Sequence, residues 1–325
     1  MAAMTLTADV LRDAVGLACR APSYHNSQPW RWVADGAKLQ LFLDRSHVVA
    51  NDHSGRQALL SCGAALDHVQ VAMAAQGWQA HVELLPNPNN LDHLATLGFT
   101  ELVAVTDGHR RLAEAISRRR TDRLPFGPVP DWERFEERLR SRIDTSFALL
   151  DVISDADRPQ LVAATEFVDA LRLYDSQYFR TLQWWTTPYE ADEGIPYSAL
   201  VSAAEDDRVG VGRTFPVAPH SNRRAQIPED RSAIVVLSAH EDTRRDILEC
   251  GSALSTVLLE ATLAGLASCP LTHLTEMATG RHIVSQLTDR EYPQVLVRIG
   301  SAPAGEEPPP QTRRRPLADV LTVTT

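Results

Sequence analysis

The sequence predicts an α+β fold in which two half-repeats of one chain associate as a pseudo-dimer. Three observations carry that expectation. Strand patterns alternate with amphipathic helix patterns along all 325 residues. One 22-residue helical stretch recurs 188 positions downstream. The polar loop Arg20-Ala-Pro-Ser-Tyr-His-Asn-Ser-Gln-Pro-Trp-Arg-Trp32 has no second copy after Phe126.

The elements follow in order. Residues 6–19 read as a helix with Thr7 at its N-cap and Val10, Leu11, Ala14, Val15 and Ala18 on its apolar face. Pro22 ends it, because the residue before a proline avoids the helical region. Residues 30–33 and 39–43 are strands joined at Asp35-Gly36. Residues 56–76 form a long small-residue helix stopped by Gly77. Residues 80–85 and 101–106 are strands, 108–120 and 132–142 helices, 147–153 a strand and 158–179 a helix. Residues 184–228 are the least regular part. A strand at 233–238, helices at 246–266 and 275–287, and a strand at 293–300 complete the pattern.

The repeat lays RQALLSCGAALDHVQVAMAAQG, from Arg56, over RRDILECGSALSTVLLEATLAG, from Arg244. Eight of the 22 positions are identical, among them Cys62/Cys250, Gly63/Gly251 and Gly77/Gly265. Average residue usage gives about one or two such matches by chance. The expected arrangement puts the two helices at the centre of an internal interface, where Gly63 and Gly251 permit close approach. The halves are residues 1–107 and 108–325, with an irregular insert or lid at about 184–228 in the second.

Composition narrows the function. The net charge of −10 argues against nucleic acid and anionic membranes as partners. Lys38 is the only lysine, which excludes a P-loop lysine elsewhere. Cys19, Cys62, Cys250 and Cys269 form no CxxC and read as buried thiols in a reducing compartment. The first dozen residues show no signal-peptide pattern, and the apolar run 252–271 contains Glu260 and Gly265, so a cytoplasmic protein is expected. HExxH, GxSxG and Walker A patterns are missing, and Gly210-Val-Gly212 lacks the third glycine of a dinucleotide fingerprint.

Two features carry chemistry. Ser23, His25, Asn26, Ser27 and Gln28 crowd hydrogen-bonding groups between two prolines, so they face water or grip something polar. Arg118-Arg119-Arg120-Thr121-Asp122-Arg123 and Arg313-Arg314-Arg315 are either solvated faces or two parts of one phosphate clamp, since guanidinium groups present paired donors and stay charged.

These residues bear a family resemblance. Ala-Pro-Ser-x-x-Asn-x-Gln-Pro-Trp, Ala21 to Trp30, is similar to the loop by which nitroreductase-family flavoproteins touch the isoalloxazine ring. Arg119-Arg120-Thr121-Asp122-Arg123 resembles their phosphate loop, with Thr for Ser, and Arg314-Arg315-Pro316-Leu317 their closing arginine. APSYHNSQPWRW, DHSGR at 52–56, RRTDRLPF at 119–126, EGIP at 193–196, LTHLTE at 271–276 and the proline-arginine tail from Pro308 resemble one branch, the Acg family of NAD(P)H nitroreductases associated with mycobacterial dormancy.

The resemblance implies a nitroreductase-like fold, FMN as cofactor and NAD(P)H as co-substrate, with a nitro compound or quinone as small-molecule acceptor. It implies that Arg119, Thr121, Arg123, Arg314 and Arg315 hold the phosphate. Ser23, His25, Asn26 and Gln28 would bond the ring edge or ribityl chain, with Trp30 anchoring the loop. Thr272 and His273 would face the reactive ring edge, with no side chain acting as acid or base. An ordinary nitroreductase subunit carries both loops and builds two sites in a homodimer. Here the first half has only the ring loop and the second only the phosphate loop, which implies one site per chain and a monomer. Residues 184–228, with Trp184, Trp185, Tyr189, Tyr197 and Phe215, are open to three readings: substrate wall, closed lid or structural insert. A closed lid would make the protein a non-catalytic FMN-sequestering one.

Overall fold

The computed structural model describes residues 5–187, 191–216, 222–307 and 309–324. Tyr189 and Pro308, named above, lie outside the described residues. The elements are α1 (Ala8–Ala18), β1 (Trp30–Asp35), β2 (Lys38–Leu43), α2 (Arg56–Ala75), β3 (Trp78–Leu84) and β4 (His93–Glu101). There follow α3 (Asp107–Arg118), α4 (Trp132–Arg142), β5 (Leu149–Val152), α5 (Arg158–Arg172), α6 (Ser176–Trp185), β6 (Thr186–Thr187), β7 (Ile195–Pro196) and α7 (Ala203–Asp206). The chain ends through β8 (Ala233–Ala239), α8 (Arg244–Leu263), β9 (Ala267–Leu271), α9 (Ala278–Thr288), β10 (Tyr292–Gly300), α10 (Leu317–Val320) and β11 (Leu321–Thr324).

Local chemistry accounts for the principal elements. Thr7 caps α1 by accepting from the Val10 amide, and Leu11, Ala14, Val15 and Ala18 bury its apolar face. In β1 alternation turns Trp30, Trp32 and Ala34 inward, and Gly36 takes the left-handed conformation that closes the hairpin to β2. Helix α2 is long and apolar enough to cross a bilayer by composition, but it is a core helix, with 72% of its most apolar window buried.

The two main sheets share one topology. The first runs β11-β1-β2-β4-β3 and the second β5-β8-β10-β9. Without β11 both have the same strand order, every adjacent pair is antiparallel, and a 20-residue helix follows the second strand of each. These helices, α2 and α8, pack together with two-fold character. A Cβ on Gly63 would strike the Leu248 carbonyl and lie 2.9 Å from the Gly251 Cα. A Cβ on Gly251 would strike the Leu60 carbonyl and lie 2.9 Å from the Gly63 Cα. Leu60/Leu248 and Gly63/Gly251 are repeat-equivalent pairs, so the contact is isologous. Arg56 likewise reaches across to Asp242 and the Thr275 carbonyl, and Arg244 to the Leu91 carbonyl.

Several expectations are corrected. The strand expected at 101–106 is β4, ending at Glu101, where its alternation pairs with both β2 and β3. The helix expected over 158–179 breaks after Arg172, because Asp175 caps a new helix through the Gln177 and Tyr178 amides. The helix expected from 275 begins at Ala278. Strands β9 and β11 were not anticipated, and β11 carries the chain end back to the first sheet, parallel to β1. The irregular insert belongs to a longer β5–β8 connection, residues 153–232, that also contains α5 and α6.

Candidate functional site

The loop between α1 and β1 is held in a costly backbone conformation. His25, Asn26 and Gln28 have φ of 53°, 59° and 51°, the left-handed region that non-glycine residues avoid. Such strain persists only where the surroundings over-determine it. Here the Ser23 hydroxyl accepts from the Gln28 amide at 3.0 Å, and the Tyr24 amide donates to the Ser61 hydroxyl of α2 at 3.1 Å. The Gln28 side chain donates to the carbonyls of Asp192 at 2.7 Å and Asn26 at 3.2 Å, and accepts from the Arg315 amide at 2.9 Å. Asn26 donates to the Gly194 carbonyl at 3.1 Å and the Arg313 carbonyl at 3.3 Å. Trp30 is fully buried beneath the loop.

This loop forms one side of a cavity of about 160 Å³ between the two halves. At one end four guanidinium groups gather from three segments: Arg20 after α1, Arg119 and Arg120 after α3, and Arg314 near the C-terminus. The Arg20 carbonyl accepts from Arg119 and Arg314, each at 3.2 Å, and Arg314 also donates to the Cys19 carbonyl at 2.9 Å. Arg20 donates to the Thr312 carbonyl at 3.1 Å, and Arg120 to the Pro309 carbonyl at 3.2 Å. Among the described residues none of the four is ion-paired with a carboxylate. Arg119 is buried, and its Nε and Nη1 have no partner. Burial and the neighbouring Arg20 and Arg120 push its pKa down to about 10. Burial, then Arg20 and Arg119, push Arg314 down as well. Buried, unneutralised and unpartnered guanidinium is stabilised by an anion with several acceptor oxygens.

The other end is aromatic and more evenly charged. The His25 ring lies 4.0 Å from Tyr24 and 6.2 Å, edge-on, from Phe215. Its Nε2 is buried without a partner. Burial, then the charge of Arg213, hold its pKa well below the ordinary value, so the imidazole is neutral. Arg123 sits 5.1 Å over the Phe215 ring and donates to the Ala199 carbonyl at 3.3 Å. Arg213 is ion-paired with Glu276, which also takes Arg172 at 2.9 Å. Burial pushes the Glu276 carboxyl up, but Arg213 and Arg172 outweigh it and hold the group ionised. Gly194, Ile195, Gly212, Arg213 and Phe215 bring the β5–β8 connection onto this end.

Of the twelve residues named from the sequence, Ser23, His25, Asn26, Arg119, Thr121, Arg123, Thr272 and Arg314 line the cavity. Four do not, and Trp30 is one of them by its anchoring position. Gln28 spends its donors and acceptor on protein groups. His273 is buried against Thr165, with its Nε2 3.2 Å from that hydroxyl. Arg315 is drawn instead to Asp44 at 3.2 Å and Glu193 at 3.5 Å, because carboxylates offer full countercharge. Arg123 lines the cavity but stands at the aromatic end, apart from the arginine cluster. Sequence reasoning missed Arg20, Arg213 and Glu276. Arg20 and Glu276 stood inside quoted motifs without being singled out, and Arg213 gave no signal beyond isolated charge.

No family model matches the chain. Three Mycobacterium tuberculosis proteins are similar over nearly all of it. Acg, which carries the name of an NAD(P)H nitroreductase, is 53% identical over 320 residues, 98% of this chain and 97% of its own. Rv3127 is 50% identical over 320 residues, covering 97% and 93%. Rv3131, also named as an NAD(P)H nitroreductase, is 37% identical over 321 residues, covering 97% and 91%. Among solved structures, a nitroreductase of Bacteroides fragilis with bound FMN matches with a TM-score of 0.39 and 15% identity, over 63% of this chain and 95% of that one. The FMN-dependent nitroreductase NfnB of Mycobacterium smegmatis, in complex with NADPH, matches with a TM-score of 0.35 and 18% identity, over 60% and 89%.

Proposed function

This chain belongs to the Acg family of nitroreductase-like proteins, and we propose that it is an FMN-dependent NAD(P)H oxidoreductase acting on a small nitro compound or quinone. The observation that carries the reading is the arginine cluster. Three segments far apart in sequence deliver four guanidinium groups to one end of the cavity, with two buried donors of Arg119 unpartnered. That donor set fits a phosphate monoester, and two relatives carry the name of NAD(P)H nitroreductases.

In this reading Arg20, Arg119, Arg120 and Arg314, with the Thr121 hydroxyl, hold the phosphate. Ser23, His25 and Asn26 face the ring and ribityl chain. Thr272 and the backbone around it face the ring's reactive edge, and Arg123 and Arg213 supply positive charge at the same end. When bound, FMN supplies the hydride chemistry. The protein orients it, excludes water and sets the local field. The halves, residues 1–107 and 108–325, form a pseudo-dimer with one site per chain, working as a cytoplasmic monomer.

A second reading is favoured by one observation. The β5–β8 connection ties onto both loops, through Gly194 to Asn26 and through Ala199 to Arg123. A connection closed over the ring would make the protein a flavin-sequestering one.

Anaerobic addition of NADPH or NADH to the FMN-loaded protein separates the readings. Rapid bleaching of the flavin absorbance supports the oxidoreductase. Bleaching by dithionite and by neither nucleotide supports sequestration. Failure to bind FMN overturns both.

A further inference from the structure

The C-terminal residues 309–324 form a strap; besides the bonds of Arg313 and Arg315 to Asn26, Gln28, Asp44 and Glu193, it is fixed at two places of different physical character. The far place is apolar. Leu317 lies against Gly16 of α1, Val320 is 1% exposed, and β11 runs parallel to β1 from Trp32↔Leu321 to Asp35↔Thr324. The near place is the arginine cluster itself. The strap gives it the Arg314 side chain and accepts from it at the carbonyls of Thr312 and Pro309. This second attachment brings like charges together with no carboxylate between them among the described residues; burial lowers the pKa of Arg20, and burial with the neighbouring guanidinium groups lowers those of Arg119 and Arg314.

We propose that a phosphate-type anion in this cluster and the docked strap bind cooperatively, so that the strap is a fourth wall of the site that the ligand itself locks. This rests on the reading of the cluster as a phosphate clamp and goes further, assigning a linkage between ligand and chain end. A dianion turns the repulsion among Arg20, Arg119, Arg120 and Arg314 into attraction and supplies acceptors for the orphaned Arg119 donors. Whatever seats the strap then raises affinity for the anion, and the anion protects the strap by the same factor, because linkage is reciprocal.

Hydrogen exchange of the strap's amides in the full-length protein tests this, with inorganic phosphate, FMN, riboflavin or sodium chloride at matched ionic strength. Phosphate and FMN slow exchange over residues 312–324 by about tenfold, within the usual span of coupling factors. Riboflavin, which lacks the phosphate, and chloride leave it unchanged. Flavin fluorescence reports binding separately. FMN bound with no change in strap exchange overturns the linkage and leaves the flavin reading standing. No FMN binding, with phosphate still protecting the strap, overturns the flavin reading and leaves the linkage standing. No protection by either anion overturns the linkage. Val320→Ala checks the reciprocal direction at a residue outside the cavity. With its fold verified by circular dichroism, it weakens FMN binding several-fold, and unchanged affinity in a variant whose strap exchanges faster overturns the proposal.

Discussion

The sharpest consequence of the internal two-fold concerns Gly63 and Gly251. Judged by helix propensity alone, alanine at either site stabilises a helix interior by about 1 kcal/mol. The packing reverses that sign. The added methyl would lie on the Leu248 carbonyl in one case and the Leu60 carbonyl in the other, and 2.9 Å from the facing glycine Cα in both. Neither obstacle is a flexible side-chain end, so the helices must separate by about 1 Å, enough to forfeit a quarter to a half of each affected contact. Overpacking of a tight core costs about 1–3 kcal/mol and more where backbone is struck. Taking about 4 kcal/mol for a strike on backbone and subtracting the propensity gain leaves about 3 kcal/mol of destabilisation for Gly63→Ala. Because the contact is isologous, Gly251→Ala has the same effect within about 1 kcal/mol. The double variant loses less than the sum, since one separation accommodates both methyl groups. Urea unfolding with slope and midpoint fitted separately measures all three. A neutral or stabilised Gly63→Ala, or two single variants differing by more than that margin, would refute the interface as described.

Four further outcomes follow from the site and the buried groups around it. Arg119→Gln weakens FMN binding by about 100-fold through lost charge-assisted hydrogen bonds, while the flavin-free protein becomes no less stable because an unpaired buried charge is gone; fluorescence titration and thermal unfolding read the two halves. FMN titration saturates at about one flavin per chain, the count expected when each half supplies one loop, and a stoichiometry near two would contradict it. His25, His68 and His273 are buried with lowered pKa values, about 3 for His273. They are neutral in the fold and protonate in the unfolded chain. Stability is therefore fully present above the ordinary imidazole value of about 6.5 and is lost as pH falls below it, with a slope approaching about 4 kcal/mol per pH unit for three protons; urea midpoints at pH 7, 6 and 5 check this. Glu276→Gln leaves two buried guanidinium groups underpaired and costs about 3–5 kcal/mol at neutral pH. The native carboxyl is held below its ordinary value, so its contribution is present above that value and fades below it, and the gap between wild type and variant narrows under about pH 4.

How much of this was legible depended on whether a residue's partner lay nearby in sequence. The β1–β2 hairpin and helices α1, α2 and α8 announce themselves through alternation, caps and helical periodicity, all local signals, to which the repeat adds a match between α2 and α8. Strand β9 contains Pro270 and pairs only with β10, and β11 finds its partner about 290 residues upstream, so neither has a local signature. The same holds in the site. Arg119 and Arg314 could be read as clamp residues because they sit in arginine runs, whereas Arg20 becomes the hub of the cluster only once α1, α3 and the strap converge on its carbonyl. Arg315, in the same run as Arg314, was captured by Asp44 and Glu193, carboxylates that no pattern placed beside it.

The matching sheets also explain why the site is asymmetric. By strand order β5 corresponds to β1, so the segment equivalent to the loop 19–29 between α1 and β1 is the turn 143–148 between α4 and β5. That turn is closed locally, with the Asp144 carboxylate accepting from the Ser146 amide and hydroxyl at 2.9 and 2.7 Å. It has no left-handed residues and no side chain in the cavity. Where the first half spends strain and polar groups on an eleven-residue loop, the second keeps a tight turn. The length appears instead between β5 and β8, in the 153–232 connection, whose Gly194 carbonyl accepts from Asn26 of the first half's loop. Two halves joined in one chain can diverge in this way, since a change in either no longer appears in both. The first half then supplies the strained loop between α1 and β1, while the second supplies Arg119, Arg120, the β5–β8 connection and the C-terminal strap.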